Sequence, residues 1–227
     1  SDGGQSCDEH GHQKRELIGQ LYREGTLYTQ EPTAVFDHDW GSLATGVAIP
    51  YELYDLTDNV GDIHMGTRHD TTEFACDSIR HWWTTYGKRR YPLATSLLLL
   101  GDGGGSSRSR YDIFKQDLQR VANDLGIEIR LAHYPPYTSK YNPIEHRLFP
   151  QVSRAFQGMI FDSVQTVHDL IARTTTRTGL KVFTAILDKP YQTGRKAAED
   201  FKATMSIVFD DVLPQWNYTA IPEVQVI

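Results

Sequence analysis

Apolar residues fall at positions 75, 79 and 82, with Tyr86 continuing the same face, and then in an unbroken run at 97–100. They return at 114, 118, 121 and 125, and then at alternate positions, Ile127, Ile129 and Leu131. The first and third sets have the helical period and the other two read as strands, so helix, strand, helix, strand is predicted. A strand–helix–strand unit of this length implies parallel pairing with a right-handed crossover.

Turn and cap residues supply the boundaries. Asp70 is predicted to cap the first helix, with Glu73 as its box partner, and Gly87 to end it. Ser109 is predicted to cap the second, with Asp112 in the box position, and Gly126 to close it. Upstream, 47–54 and 62–65 are β-prone and joined by the turn 57–61, so a hairpin is expected. Pro50 lacks an N–H, which argues for an edge or bulged position there. Residues 26–45 read as irregular loop with short extended pieces.

Downstream, Asn142 and Pro143 open a third helix with Glu145 in its first turn. Pro150 should kink or end that helix. A helix capped by Asp162 or Ser163, a strand at 180–186, a helix within 195–205 and an extended tail through 216–219 complete the pattern. Hairpin, helix, strand, helix, strand, helix is an RNase H-like order if one strand precedes the hairpin. The expected class is α/β, with a mixed central sheet and flanking helices. The expected division is a core over 1–159 and a C-terminal α+β appendage over 160–227, packed as one domain.

The chain has 227 residues, 39% hydrophobic and 23% charged, enough for one substantial core. No apolar run approaches the ~18 residues of a membrane span. The Gly-rich, polar start is not a signal peptide. Two distant cysteines, Cys7 and Cys76, fit reduced thiols in a cytosolic compartment. The net charge of −6 counts against an extended basic face, although DNA binding needs only a local patch. Local basic clusters occur at Lys14-Arg15, Lys88-Arg89-Arg90, Arg108 with Arg110, and His146-Arg147; others lie at Arg173, Arg177 and Lys181. Any one of them alone reads as ordinary solvated surface.

Asp102 ends the apolar strand inside a glycine cluster, Gly103 to Gly105. It could be a turn residue, or a ligand where the glycines let a phosphate or metal approach. A nucleotide-phosphate loop is excluded, because the Gly-Lys-Ser/Thr ending is missing. Glu145 could do no more than complete a capping box. The pair is more telling than either residue. The loop 133–141 carries the chain back over the sheet edge where Asp102 lies, so the two acids suit a shared divalent metal site. Cys7, His10 and His12 lack the second ligand pair that structural zinc requires. Trp82 and Trp83 read as core, whereas Tyr137 and Tyr141 are candidates for touching DNA.

The segment Pro-Pro-Tyr-Thr-Ser-Lys-Tyr-Asn-Pro-Ile-Glu at 135–145 resembles one found in mariner-like and related bacterial insertion-sequence transposases. The wider chain resembles the Rhodopirellula-type DDE transposases more closely, through segments at 14–19, 46–51, 66–71, 101–106, 144–149, 178–182 and 216–219. The resemblance implies an RNase H-like catalytic domain in which two aspartates and a glutamate hold two magnesium or manganese ions. Asp102 matches the second aspartate, Glu145 the glutamate and Asp8 the first aspartate; the rivals for that last place are Asp37, Asp39 and Asp55. Residues 1–7 look too short and Gly-rich for a central strand, and the upstream DNA-binding region expected of the family is absent from this chain.

The implied activity is hydrolysis at insertion-sequence ends followed by strand transfer into target DNA. The implied setting is the bacterial cytoplasm, at the nucleoid, with assembly into a homo-oligomer on DNA possible. Lys14, Arg15, Arg108, Arg110, Tyr137, Lys140, His146 and Arg147 are the DNA-contact candidates. A nuclease of the same fold without strand transfer, and an inactive DNA-binding or assembly module, are the alternatives.

Overall fold

The structure is a computed structural model that describes residues 5–11 (backbone only), 15–37, 40–102, 112–135 and 137–223. Its described strands are β1 (Gln5–Gly11), β2 (Glu16–Ile18), β3 (Gly46–Asp55), β4 (Val60–Gly66), β5 (Ser96–Gly101), β6 (Glu128–His133), β7 (Lys181–Ile186), β8 (Ile207–Phe209) and β9 (Asn217–Ala220). They lie in the order β7-β4-β3-β1-β5-β6-β9-β8, and β2 pairs with β3. β1 runs antiparallel to β3 and parallel to β5, and β5 is parallel to β6. A hairpin on one side of a central first strand and parallel strands on the other is the RNase H-like arrangement.

Two expectations about these strands change. Residues 5–11 do form a central strand, because the ladder from β3 and β5 supplies partners on both sides. The strand holding Pro50 is interior, not an edge. Among the described residues β1 pairs with β3 from Glu52 to Asp55, and β2 from Gly46 to Ala48. Pro50 itself lies opposite Met65 of β4. The segment beyond 160 adds strands at both ends of the same sheet. β7 lies parallel beside β4, while β9 pairs antiparallel with both β6 and β8.

The helices are α1 (Thr72–Trp82), α2 (Lys88–Arg90), α3 (Asp112–Leu125), α4 (Ile144–Arg147), α5 (Phe149–Phe156), α6 (Val164–Ala172) and α7 (Phe201–Thr204). Thr71, not Asp70, caps α1: its hydroxyl accepts from the Phe74 N–H at 3.2 Å. Gly87 does not stop the helix either. A wide turn, Trp83–Gly87, leads straight into α2, and the Tyr91 N–H donates to the Gly87 carbonyl at 2.7 Å. A Cβ at 87 would meet the Trp83 ring at 2.6 Å and the Trp82 ring at 2.8 Å. Glycine is needed there for side-chain room.

Gly126, at φ +68°, ends α3 as expected, while the Ser109 cap lies outside the described residues. The break at Leu148 separates α4 from α5, with Pro150 in the first turn of the new helix. Ser163 caps α6 by accepting from Thr166 N–H at 3.1 Å. The helix expected within 195–205 shrinks to α7. Among the described residues, no helix is long and apolar enough to cross a membrane.

Alternation along β3 divides the interior in two. Leu53 joins Leu97, Leu99, Phe114, Leu118 and Trp82 beneath α1 and α3. Tyr54 joins Ile63, Met65, Ile144, Leu148 and Val167 beneath α4, α5 and α6. The sheet is therefore covered on both faces, which leaves its strand ends as the place for polar chemistry.

Two polar residues of β4 are buried in the sheet, Asp62 and His64. Their side chains approach to 3.2 Å. Burial pushes the Asp62 carboxyl up to about 7. Burial first, and then His81, holds the His64 imidazole down to about 3. Between those limits both groups are neutral, so the contact is not an ion pair. Asp62 binds its proton more tightly folded than unfolded. Its contribution is present at acid pH and lost as pH rises through about 7. We expect Asp62→Asn to gain about 2 kcal/mol on the native chain between pH 5 and pH 8. Urea melts of both proteins at the two pH values measure it, and a constant gap would mean the carboxyl is not held neutral.

Candidate active site

β5 ends at Gly101, and half-buried Asp102 follows at the C-terminal edge of the sheet. Gly101 pairs with His133 of β6, and the Tyr134 N–H donates to the Gly101 carbonyl at 2.7 Å. That bond pins the start of the next loop beside Asp102. The loop passes through a helical turn, Ser139–Tyr141, and reaches the fully buried Asn142. The Asn142 carboxamide oxygen accepts from Ile144 N–H at 3.3 Å, and its carbonyl from Glu145 N–H at 3.2 Å. Ile144 is buried in the core, which fixes the first turn of α4 and with it Glu145.

The Glu145 carboxyl is pushed up from its ordinary value, first by burial and then by the negative charge of Asp102. Two carboxylates 43 positions apart in sequence therefore lie within electrostatic reach of each other. Asn142 supplies the side-chain cap of this turn, with Glu145 three residues after it. Two hard oxygen donors that repel each other suit a divalent cation such as magnesium or manganese, whose charge would relieve the repulsion. The donor set thus fits the metal that the resemblance implies.

Asp8 belongs to β1, next to β5, with its backbone opposite Leu99 on one side and Asp55 on the other. His10 pairs with Gly101, so Asp8 lies three residues before the level of Asp102. The Asp8 side chain lies outside the described residues, as do those of Cys7, His10 and His12. Among its rivals, Asp55 is buried and fully engaged. One oxygen accepts from the Thr57 and Asp58 N–H groups at 2.8 and 3.2 Å, and the other from the Tyr91 hydroxyl at 2.7 Å. Asp55 organises a turn. Asp37 is exposed on the irregular segment, and Asp39 lies outside the described residues. Among the described residues, no group of three or more acidic, histidine or cysteine side chains is arranged to hold a metal.

The DNA-contact candidates divide. Lys14, Arg108 and Arg110 lie outside the described residues, and Arg15 is exposed just before β2. Tyr137, Lys140, His146 and Arg147 are all exposed on the loop and helix that carry Glu145. The His146 ring nitrogen Nε2 lies 2.8 Å from the Lys140 carbonyl, and the Lys140 ammonium lies 4.9 Å from the Tyr141 ring centre. His133 also helps to place the site. It continues the inward alternation of Ile129 and Leu131, and its Nδ1 lies 3.2 Å from the Trp216 carbonyl, tying the strand end beside Asp102 to β9. A histidine at a core-facing strand position carries no sequence signal of that role.

The Rhodopirellula transposase DDE domain family matches residues 10–222. The chain belongs to that family. The span matched by the DDE domain includes Asp102 and Glu145 and begins two residues after Asp8. Among solved structures, the Mos1 mariner paired end complex with Mn is similar at 12% identity and a TM-score of 0.45, over 72% of this chain and 46% of that one. The Mos1 strand transfer complex gives 12% and 0.46, over 72% of this chain and 45% of that one. The DDE domain thus spans less than half the length of those chains. A comparison with curated proteins found no match.

Proposed function

We propose that this DDE domain catalyses phosphodiester hydrolysis and strand transfer at the ends of an insertion sequence, with Asp102, Glu145 and Asp8 holding two magnesium or manganese ions. The observation that carries this reading is the approach of Asp102 to Glu145 at the C-terminal sheet edge. Bound divalent ions would supply charge neutralisation at the reacting phosphate and a lowered pKa for the attacking hydroxyl or water. The chain's own residues set the geometry. Asn142 fixes the first turn of α4, and the Tyr134 bond to Gly101 keeps the loop beside Asp102. Lys140 and Arg147, exposed on either side of Glu145 in the sequence, would neutralise phosphates of the bound DNA.

Thermal melts test the metal sites directly. A ligand at a hundred times its Kd stabilises the folded state by about 2.7 kcal/mol. For a chain of this size that is a rise of roughly 5–10 °C in melting temperature. We expect manganese to give the native chain such a rise. Asp102→Asn removes one ligand charge and the repulsion on Glu145. It should melt at or above the native chain in EDTA and lose most of the manganese-induced rise. A mutant that gains as much from manganese as the native chain would remove Asp102 from the metal site.

A further inference from the structure

Tyr137 has a left-handed backbone, φ +66°, and a fully exposed side chain. The Thr138 N–H donates to the Pro135 carbonyl at 3.3 Å, so Tyr137 is the third residue of a closed four-residue turn. A positive φ at that position favours glycine or asparagine, and for a bulky residue it is an outlier. A tyrosine that strains the backbone and packs against none of the described residues does not serve folding. Strain of this kind, held in place by its surroundings, marks functional sites.

The surroundings hold this loop at both ends. Tyr134 bonds to Gly101, the residue before Asp102, and Lys140 is bonded by His146, the residue after Glu145. The turn therefore projects Tyr137 from the segment that joins the two carboxylates. Lys140, whose ammonium lies 4.9 Å from the Tyr141 ring centre, and Arg147, two residues beyond Glu145, are exposed cations suited to phosphates. Exposed aromatic rings and cations together are what unstacked bases of single-stranded nucleic acid rest on.

We propose that Tyr137 stacks on an unpaired nucleobase beside the phosphate addressed by Asp102 and Glu145, so that the site takes DNA with an opened end in preference to intact duplex. The inference rests on the DNA reading above and adds the state of the DNA. Tyr137 is a specificity-determining residue in it, without a part in the reaction at phosphorus.

Fluorescence anisotropy in EDTA tests it, with a labelled blunt duplex and the same duplex carrying a short unpaired end. For the native chain the open-ended DNA should bind more tightly. Tyr137→Gly should weaken binding to the open-ended DNA by roughly tenfold, the worth of one stacked base, and to the blunt duplex by less than about twofold. The same variant should melt at or above the native temperature, since glycine adopts the left-handed conformation without strain. Tyr137→Trp should restore the preference. Equal losses on both DNAs, no loss on either, or no rescue by tryptophan would overturn the proposal. The assay contains no divalent metal, so it reads the preference apart from the metal sites. Failure of the metal reading would show in the melts, and failure of the stacking reading in anisotropy alone.

Discussion

Glu145→Gln is expected to reduce metal-dependent DNA cleavage by about a thousandfold or more while leaving the fold intact. Glutamine keeps the size of the side chain and removes its charge. The side chain is half-exposed, and the helix start is held by Asn142, so folding does not depend on the carboxylate. Losing it also relieves the repulsion with Asp102. What disappears is an anionic oxygen donor for a divalent ion, whose charge is worth several kcal/mol in the transition state. At 1.36 kcal/mol per tenfold, about 4 kcal/mol is about a thousandfold. Nicking of end-labelled DNA by a transposition-competent protein carrying this chain, with a thermal melt as the folding control, measures it. Activity within tenfold of native would show that Glu145 is not a catalytic carboxylate.

The raised pKa of Glu145 adds a pH dependence with a definite sign. The group must be ionised to hold a cation. Proton and cation compete for it, so at limiting manganese cleavage should fall as pH drops, and saturating manganese should move that fall to lower pH. In Glu145→Gln, whatever activity remains should lack that limb.

Most of the sheet and the helix start that carries Glu145 were legible in the sequence, because both follow from local signals. The run at 97–100 and the alternation at 127–131 could only be strands, and the 14-residue helix α3 between them forced the parallel crossover. Pro143 and Asn142 marked a helix start, which placed Glu145 in its first turn. The errors have tertiary causes. Asp70 and Thr71 are both competent caps, and only the observed backbone chooses Thr71. Gly87 looks like a helix stop, yet its lack of a Cβ makes room for two tryptophan rings. Residues 1–7 look poor as a strand, but β5 pairs from Gln5 onward and β3 joins on the other side from Asp8. His133 and the strained turn at Tyr137 left no trace in the pattern, since backbone strain and long-range bonds do not repeat at a period.

The helix expected within 195–205 is cut short for a reason that leads to the second large effect. Before α7 the chain is irregular and held by charges. Arg195 grips Asp117 of α3 with both guanidinium nitrogens, at 2.9 and 2.8 Å, and reaches Glu73 of α1 at 3.4 Å. The Asp117 side chain is only 4% exposed and also accepts the Thr72 hydroxyl at 2.7 Å. Removing one partner of such a pair leaves a buried charge uncompensated, which costs about 3–5 kcal/mol. Arg120 remains 3.3 Å from Asp117 but is mostly exposed, so we expect Arg195→Met to sit at the lower end, about 3 kcal/mol. For a chain of this length that lowers the melting temperature by roughly 6–12 °C. Lys189 makes two ion pairs on the same surface, to Glu73 and Asp77, but its side chain is 50% exposed. Lys189→Ala should therefore cost less than about 1 kcal/mol. Combining Arg195→Met with Asp117→Leu should recover part of the loss, because the stranded charge goes as well. Urea denaturation of the four proteins decides it. Equal costs for Arg195→Met and Lys189→Ala would mean that Asp117 is already compensated by Thr72 and Arg120, and that the segment before α7 is held by something other than its charges.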